Sequence, residues 1–258
     1  MMFVKPIQVT KNDVHFNVIS NPQTIWIWND MNRGKWEEET FKIFDRFLSP
    51  AHSYLDIGAW IGPTVLYGAH RAKRVYGMEP DPIAFQELLA NCALNHSIAS
   101  KITPINAAIA EESGDINLYM RHTFGDSTSS LVPTISDHSC KVRALTIYDL
   151  INNNNIQDIN FIKMDIEGGE YTLIPQLQEF LTSHKPTLYL SLHPKFLHEH
   201  LQFVSSEDKT SPTIQTEKLL DSLQSYKNIY DISGNRVNRD HIHTITNTGE
   251  FVFTDENW

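Results

Sequence analysis

The chain has 258 residues, 41% of them hydrophobic and 20% charged, with a formal net charge of -10 and no run of Lys or Arg. That profile suits one domain with a real apolar core and argues against non-specific grip on nucleic acid, which relies on clustered cations. No window approaches the ~18 apolar residues of a membrane span, and Met1 to Pro6 lacks the apolar stretch of a secretory leader. Cys92 and Cys140 have no metal-ligand spacing and fit reduced thiols, so the expectation is a soluble, cytoplasmic protein.

Residues 1–50 read as an N-terminal extension and residues 51–258 as the main domain. In the extension, Val14–Ile19 and Thr24–Trp28 are expected as short strands. Trp36–Leu48 is expected as a helix, with Phe41, Phe44, Phe47 and Leu48 at helical spacing and Glu37, Glu38 and Glu39 suiting the dipole of its first turn. Trp26, Trp28 and Trp36 form either subdomain core or an aromatic wall over a substrate pocket, core being the commoner use. Ser53–Ile57 is the first central strand and Arg74–Met78 the second. Asp81-Pro82 then supplies an N-cap oxygen and a first-turn proline to a helix burying Phe85, Leu88, Leu89 and Cys92.

A third strand, Ile102–Asn106, contains Pro104, which cannot donate to a ladder and so belongs at a sheet edge. Asp115–Arg121 and Lys141–Thr146 are strand-like, joined by a polar loop around Phe124 to His138. A short helix from Ile147 runs into four asparagines, Asn152 to Asn155, expected as a turn or loop. Ile159–Ile166 is the strongest buried strand, and Leu173, Ile174, Leu177 and Leu181 give a helical face that Pro175 breaks or kinks. Thr187–Leu192 delivers His193-Pro194. Phe203–Thr213 is expected to be mobile, Thr216–Leu223 helical, and Ile229–Ile232 and Glu250–Thr254 the closing strands. The alternation predicts one mostly parallel α/β sheet with helices on both faces.

Polar groups concentrate where these strands end. Tyr54-Leu-Asp-Ile-Gly-Ala-Trp-Ile-Gly62 runs a strand into Asp56, Gly58 and Gly62, beside the crevice where open α/β sheets bind ligands. Glu79 ends the next strand about twenty residues on, where a carboxylate accepts both ribose hydroxyls. A dinucleotide fingerprint needs a third glycine for pyrophosphate, but Trp60 stands two positions after Gly58. A nucleoside ligand without phosphate fits better, and S-adenosylmethionine is such a ligand. Lys163, Asp165 and Glu167 alternate along one side of the buried strand and its end, so the lysine has carboxylate partners. His193, leaving the adjacent strand, is a candidate general base with a reference pKa near ~6.5. Asp165, Glu167 and His193 lack a tight metal-binding histidine motif, and no metal is assigned.

Taken together, Tyr54–Gly62, Val75–Pro82, Asn91 and Asn95, Asn106–Ile109, Val142–Thr146 and Phe161–Glu170 resemble the FkbM family of S-adenosylmethionine-dependent methyltransferases. The resemblance implies a class I methyltransferase (Rossmann-like) seven-stranded sheet and O-methylation of a small-molecule or sugar hydroxyl. Carried over by position, Asp56, Gly58 and Gly62 line the methionine end of the cofactor, Glu79 holds the ribose, and Asn106-Ala107 lies near adenine. Ala59, Pro80 and Asp165 complete that cofactor set. His193, Asp165, Glu167 and Lys163 are the catalytic candidates. Pro63-Thr64 departs from the small polar residue more usual after Gly62. The alternatives are a nucleotide-dependent oxidoreductase, against which Trp60 argues, and a non-catalytic S-adenosylmethionine-binding protein. The expected partner is a small-molecule or saccharide acceptor, with no nucleic acid or membrane.

Overall fold

A computed structural model describes residues 6–204 and 211–258. Met1 to Lys5, part of the segment searched for a leader, and most of the polar stretch before Thr213 lie outside the described residues. The strands are β1 (Ile7–Lys11), β2 (Val14–Val18), β3 (Ser53–Ile57), β4 (Arg74–Met78), β5 (Ile102–Ile105), β6 (Ala108–Ile109), β7 (Gly114–Tyr119) and β8 (Ser139–Leu145), followed by β9 (Ile159–Met164), β10 (Thr187–Leu192), β11 (Asn228–Asp231) and β12 (Gly249–Thr254).

Seven strands form the central sheet in the order β11-β12-β10-β9-β3-β4-β5. β10, β9, β3, β4 and β5 run parallel, while β12 is antiparallel to both β10 and β11. The order reverses at β3 and β9, so the crevice beyond their carboxyl ends is the place where such a sheet binds ligands. Helices pack both faces, over two separate clusters of buried apolar side chains. No helix among the described residues is long and apolar enough to cross a membrane.

Local chemistry explains much of this. Asp81 accepts hydrogen bonds from the Ile83 and Ala84 amides and starts the helix Pro82–Ala93, with proline in the first turn. Thr146 caps Ile147–Asn154 in the same way. Pro104 sits in β5, which pairs only with β4, so its missing donor falls on the open edge. Pro175 separates two helices, Glu170–Gln176 and Gln178–His184, as its lost amide and ring clash require.

Several expectations need correction. Thr24–Trp28 is not a strand: Ile25–Asn32 is a helix burying Ile27, Trp28 and Met31 at helical spacing, and the hairpin partner of β2 is β1. Leu89 is exposed on its helix. Asn152 to Asn154 continue the helix, and only Asn155 turns left-handed to end it. β7 and β8 do not join the central sheet but form a three-stranded sheet with β6. The late helix begins at Pro212, where Ser211 caps it, four residues before the expected Thr216.

The N-terminal segment is stitched onto the main sheet by polar and apolar contacts. Asn95 accepts from the Asn17 amide and donates to the Asn17 carbonyl, and Asn91 accepts from the Ile19 amide while donating to Ile61. Phe44, on the helix Glu38–Phe47, meets the rings of Tyr54, Phe161 and Tyr189 edge-on, with centroids 5.2, 5.6 and 6.5 Å away. Those three rings come from β3, β9 and β10, so one side chain seals the segment to the middle of the sheet. Phe44→Ala is therefore expected to cost about 3–5 kcal/mol in urea unfolding. A loss below about 1 kcal/mol would show that the segment is not part of the cooperative core.

Candidate active site

Beyond the carboxyl ends of β3, β4 and β9 lie two adjoining cavities. The first has apolar walls, including Met78, Ala107, Ile109 and Leu118, with Glu79 and Pro80 at one side and no Lys or Arg in its lining. The second is walled by Trp26, Trp36 and Glu37 from the N-terminal segment and by Lys163 from β9. Gly58, Trp60, Ser127, Asp165 and Glu167 line both and so mark the junction.

Glu79 is set by the backbone around it. Its Oε2 accepts from the Trp60 amide at 2.8 Å and its Oε1 from the Asp81 amide at 2.7 Å. Burial nevertheless pushes its pKa up to about 8, since these two bonds only partly replace water. Such a carboxyl gains from further donors in the cavity. Asn106 is exposed and donates to the Glu79 and Pro80 carbonyls, holding this turn without lining the cavity.

The junction is organised by Lys163, 4% exposed in the middle of the sheet. Register places Asp56 of β3 and Tyr189 of β10 beside it. Its Nζ lies 3.2 Å from Asp165 Oδ2 and 3.9 Å from Asp56 Oδ1. Burial disfavours the ammonium, but Asp165, Asp56 and Glu37 outweigh that penalty and raise the lysine pKa. Burial likewise opposes the charge on Asp165, and Lys163 and His193 together reverse the balance and lower its pKa. Asp165 is thus a held carboxylate.

The cofactor-loop residues Asp56, Gly58, Ala59 and Gly62 are placed differently with respect to the cavities. Asp56 is fully buried and lines neither cavity: Thr64 Oγ1 donates to its Oδ2 at 2.6 Å, and its Oδ1 faces Lys163. The departure at Pro63-Thr64 thus supplies the partner that turns Asp56 inward. Gly62 also lines neither cavity. Its φ of 99° admits the turn, and an added Cβ would meet Leu88 at 2.7 Å. Gly58 lines both cavities, yet its lack of a side chain serves the sheet, since a Cβ there would lie 1.9 Å from the Asp165 carbonyl oxygen. Ala59 borders the second cavity rather than the first.

His193 packs under the loop that follows β9. Its Nδ1 donates to Glu170 Oε1 at 3.0 Å, and its Nε2 lies 3.6 Å from Asp165 and 3.5 Å from Glu167. Glu170 also receives the Ile166 and Gly168 amides at 3.0 Å each, tying the loop to its helix. Burial works against the imidazolium, but Glu170, Asp165 and Glu167 overcome it and push the His193 pKa up to about 10. At neutral pH His193 carries its proton, which removes it as a general base. Burial pushes Glu167 up to about 8 despite His193.

Sequence spacing therefore brought Lys163, Asp165, Glu167 and His193 into one cluster, and it missed Glu170 as the anchor beneath them. It also passed over Ser127, in the polar loop that follows β7. That loop is pinned by Asp81, which accepts from the Gly125 amide and the Ser129 hydroxyl at 2.7 and 2.9 Å. Trp60 Nε1 donates to the Gly125 carbonyl at 3.0 Å and closes the same corner.

A model of the FkbM methyltransferase domain matches residues 56–217, well over half of the chain and every element of the junction from the main sheet. The chain belongs to the FkbM methyltransferase family. No curated protein matches it in sequence. Among solved structures it is similar to methyltransferase FkbM from Methylobacillus flagellatus, at 20% identity, 88% of this chain, 52% of that chain and a TM-score of 0.49. It is also similar to the fibrillarin pre-rRNA processing protein of Methanococcus jannaschii (15% identity, 98% and 84% coverage, TM-score 0.45). A third is a Streptococcus mutans protein solved in complex with SAH (11% identity, 84% and 96% coverage, TM-score 0.43). The chain spans little more than half the length of the first structures it matches, 52% to 57%.

The His193 cluster of this FkbM-family site has a pH signature. A histidine held near pH 10 in the fold and near ~6.5 when unfolded stabilises fully below the lower value and loses that contribution as pH rises through the higher one. The thermal midpoint is expected to fall between pH 7 and pH 10, and to fall less in His193→Gln. Parallel profiles for the two proteins would contradict the imidazolium.

Proposed function

We propose that the chain transfers a methyl group from S-adenosylmethionine to a hydroxyl of a small molecule or sugar. S-adenosylmethionine is the cofactor, and the single observation that carries the reading is the pair of cavities meeting at Asp165. The first cavity fits the cofactor's nucleoside: apolar walls suit adenine, Glu79 has two oxygens for ribose hydroxyls, and no cation is present for a pyrophosphate. Pro80 and Ala107 border the same space, while Asn106 supports it from outside. When bound, S-adenosylmethionine supplies an electrophilic methyl group on a positively charged sulfur.

The chain's own residues then have separable tasks. Asp165 presents a fixed negative charge at the junction, where a cationic ligand is favoured without reorganisation. Lys163 and His193 keep that carboxylate ionised, and Glu170 keeps His193 in place. Trp60, Ser127 and Glu167 border the passage between the cavities. An acceptor in the second cavity approaches along a route fixed by rigid strand ends, which aligns it with the junction. Trp26 and Trp36 offer apolar faces to that acceptor, and the carboxyl groups around it disfavour an anionic one.

Isothermal calorimetry tests the reading. S-adenosylmethionine and S-adenosylhomocysteine are expected to bind with Kd values on the order of micromolar, and NAD to give no heat. Glu79→Ala is expected to weaken both by about tenfold or more, some 1.4 kcal/mol, with the fold retained by circular dichroism. No heat from either sulfur ligand, or binding of NAD instead, would sink it.

A further inference from the structure

Six non-glycine residues among those described have left-handed backbone. Asn12 turns the β1–β2 hairpin, and Asn155 and Lys185 end helices, which are ordinary places for it. The other three, Glu37 (φ 42°), Trp60 (φ 47°) and Glu167 (φ 57°), all line the second cavity. A bulky residue held in that region is strained, and strain of this kind gathers where a side chain must stay in one place for function. Trp60 and Glu167 already belong to the junction. Glu37 does not.

Glu37 is the N-cap of the helix Glu38–Phe47, yet its side chain makes no capping hydrogen bond. It turns instead into the second cavity, where it forms the wall facing Asp165 and Lys163 together with Trp26 and Trp36. Thr40 Oγ1 donates to its Oε2 at 3.2 Å and meets the Tyr189 hydroxyl at 2.7 Å. Glu250 of β12 is a further buried carboxyl group whose charge is felt at both Glu37 and Tyr189. Two buried hydroxyls, those of Thr40 and Tyr189, thus brace the cavity wall against the sheet.

We propose that Glu37 is a catalytic residue that takes the proton of the acceptor hydroxyl in the second cavity, an assignment that rests on the methyltransferase reading above. The acceptor O–H bond breaks toward the Glu37 carboxylate, the oxygen's lone pair forms the new O–CH3 bond, and the electron pair of the broken S–CH3 bond stays on sulfur. The Thr40 hydroxyl, itself hydrogen-bonded to Tyr189, holds the Glu37 carboxyl in place to receive that proton. Competing groups are less suited. His193 already holds a proton and Asp165 is held as a weakly basic carboxylate, while Glu167 sits at the junction with the cofactor cavity, 3.5 Å from His193, and Glu37 borders the acceptor cavity alone. The charged groups facing Glu37 are Lys163 of β9, Asp165 beyond that strand and Glu250 of β12, with Tyr189 of β10 linked through Thr40. Burial, reinforced by Asp165 and Glu250 and opposed by Lys163, pushes Glu37 up to about 8, a proton affinity suited to a base near neutral pH.

Carbon-13 NMR of the full chain labelled at glutamate Cδ tests the assignment, with Glu37→Gln identifying the resonance. Glu37→Asp also removes that resonance and serves if the glutamine variant does not fold. In the S-adenosylhomocysteine complex Glu37 is expected to titrate near 8. In the S-adenosylmethionine complex its midpoint is expected to drop by about half a unit or more, roughly a threefold change in proton affinity. A group beside the transfer point must feel the extra positive charge on sulfur, whereas one held away from it would not. A midpoint in the ordinary range of about 4–5, or equal midpoints in the two complexes, overturns the assignment. Loss of S-adenosylmethionine binding in Glu37→Gln also overturns it, by placing Glu37 in the cofactor cavity. No binding by the unaltered chain is a separate failure, of the methyltransferase reading itself.

Discussion

The candidate site depends on one buried positive charge. Lys163 lies inside the sheet, where an unpaired ammonium would be untenable, and Asp56 and Asp165 make it tolerable. The dependence runs both ways. Asp56 Oδ1 accepts no hydrogen bond among the described residues, since Thr64 serves only the other oxygen, and without Lys163 it would also lose the cation it faces. Without it Asp165 would also lose the partner that offsets its burial. The junction between the cavities is therefore rigid because its charges leave few alternatives. Such networks add little net stability, but breaking one partner is costly, so a specific geometry is retained.

Around that ion pair the backbone itself is under tension. Glu37, Trp60 and Glu167 occupy left-handed conformations that cost roughly 1–2 kcal/mol each for ordinary residues. Their positions are maintained by neighbours: Trp60 by Glu79 and Gly125, and Glu167 by the Glu170 anchor on either side of it. Glu37 follows from the docking of its helix through Phe44 onto three sheet strands. The N-terminal segment thus furnishes the wall of the second cavity as well as its share of the core.

Much of this was legible in the sequence, and the reasons differ by element. β3, β4 and β10 lie where apolar runs and turn residues place them, because buried parallel strands read as short continuous apolar stretches. Pro104 named the edge, and Asp81-Pro82 named a helix start. Thr24–Trp28 misled because Ile and Trp favour strands while their burial follows a helical period. The asparagine run misled because helix propensity is a weak prior that neighbouring turns override.

In the site, alternation correctly grouped Lys163, Asp165 and Glu167, since a strand puts every second residue on one side. Spacing places Asp56 at the crevice but does not reveal that Thr64 draws its carboxyl inward. Glu37 was read as a dipole-suited acid, and nothing local marks it otherwise. Its orientation is a consequence of tertiary packing between segments well over a hundred residues apart, as the Thr40 to Tyr189 contact illustrates.

The most direct measurement is a crystal structure of the chain with S-adenosylhomocysteine. The account predicts the ribose on Glu79, the base among Met78, Ala107 and Ile109, and the sulfur at the junction beside Asp165, pointing toward the cavity walled by Glu37. A ligand seated elsewhere, or a sulfur facing away from that second cavity, would contradict it.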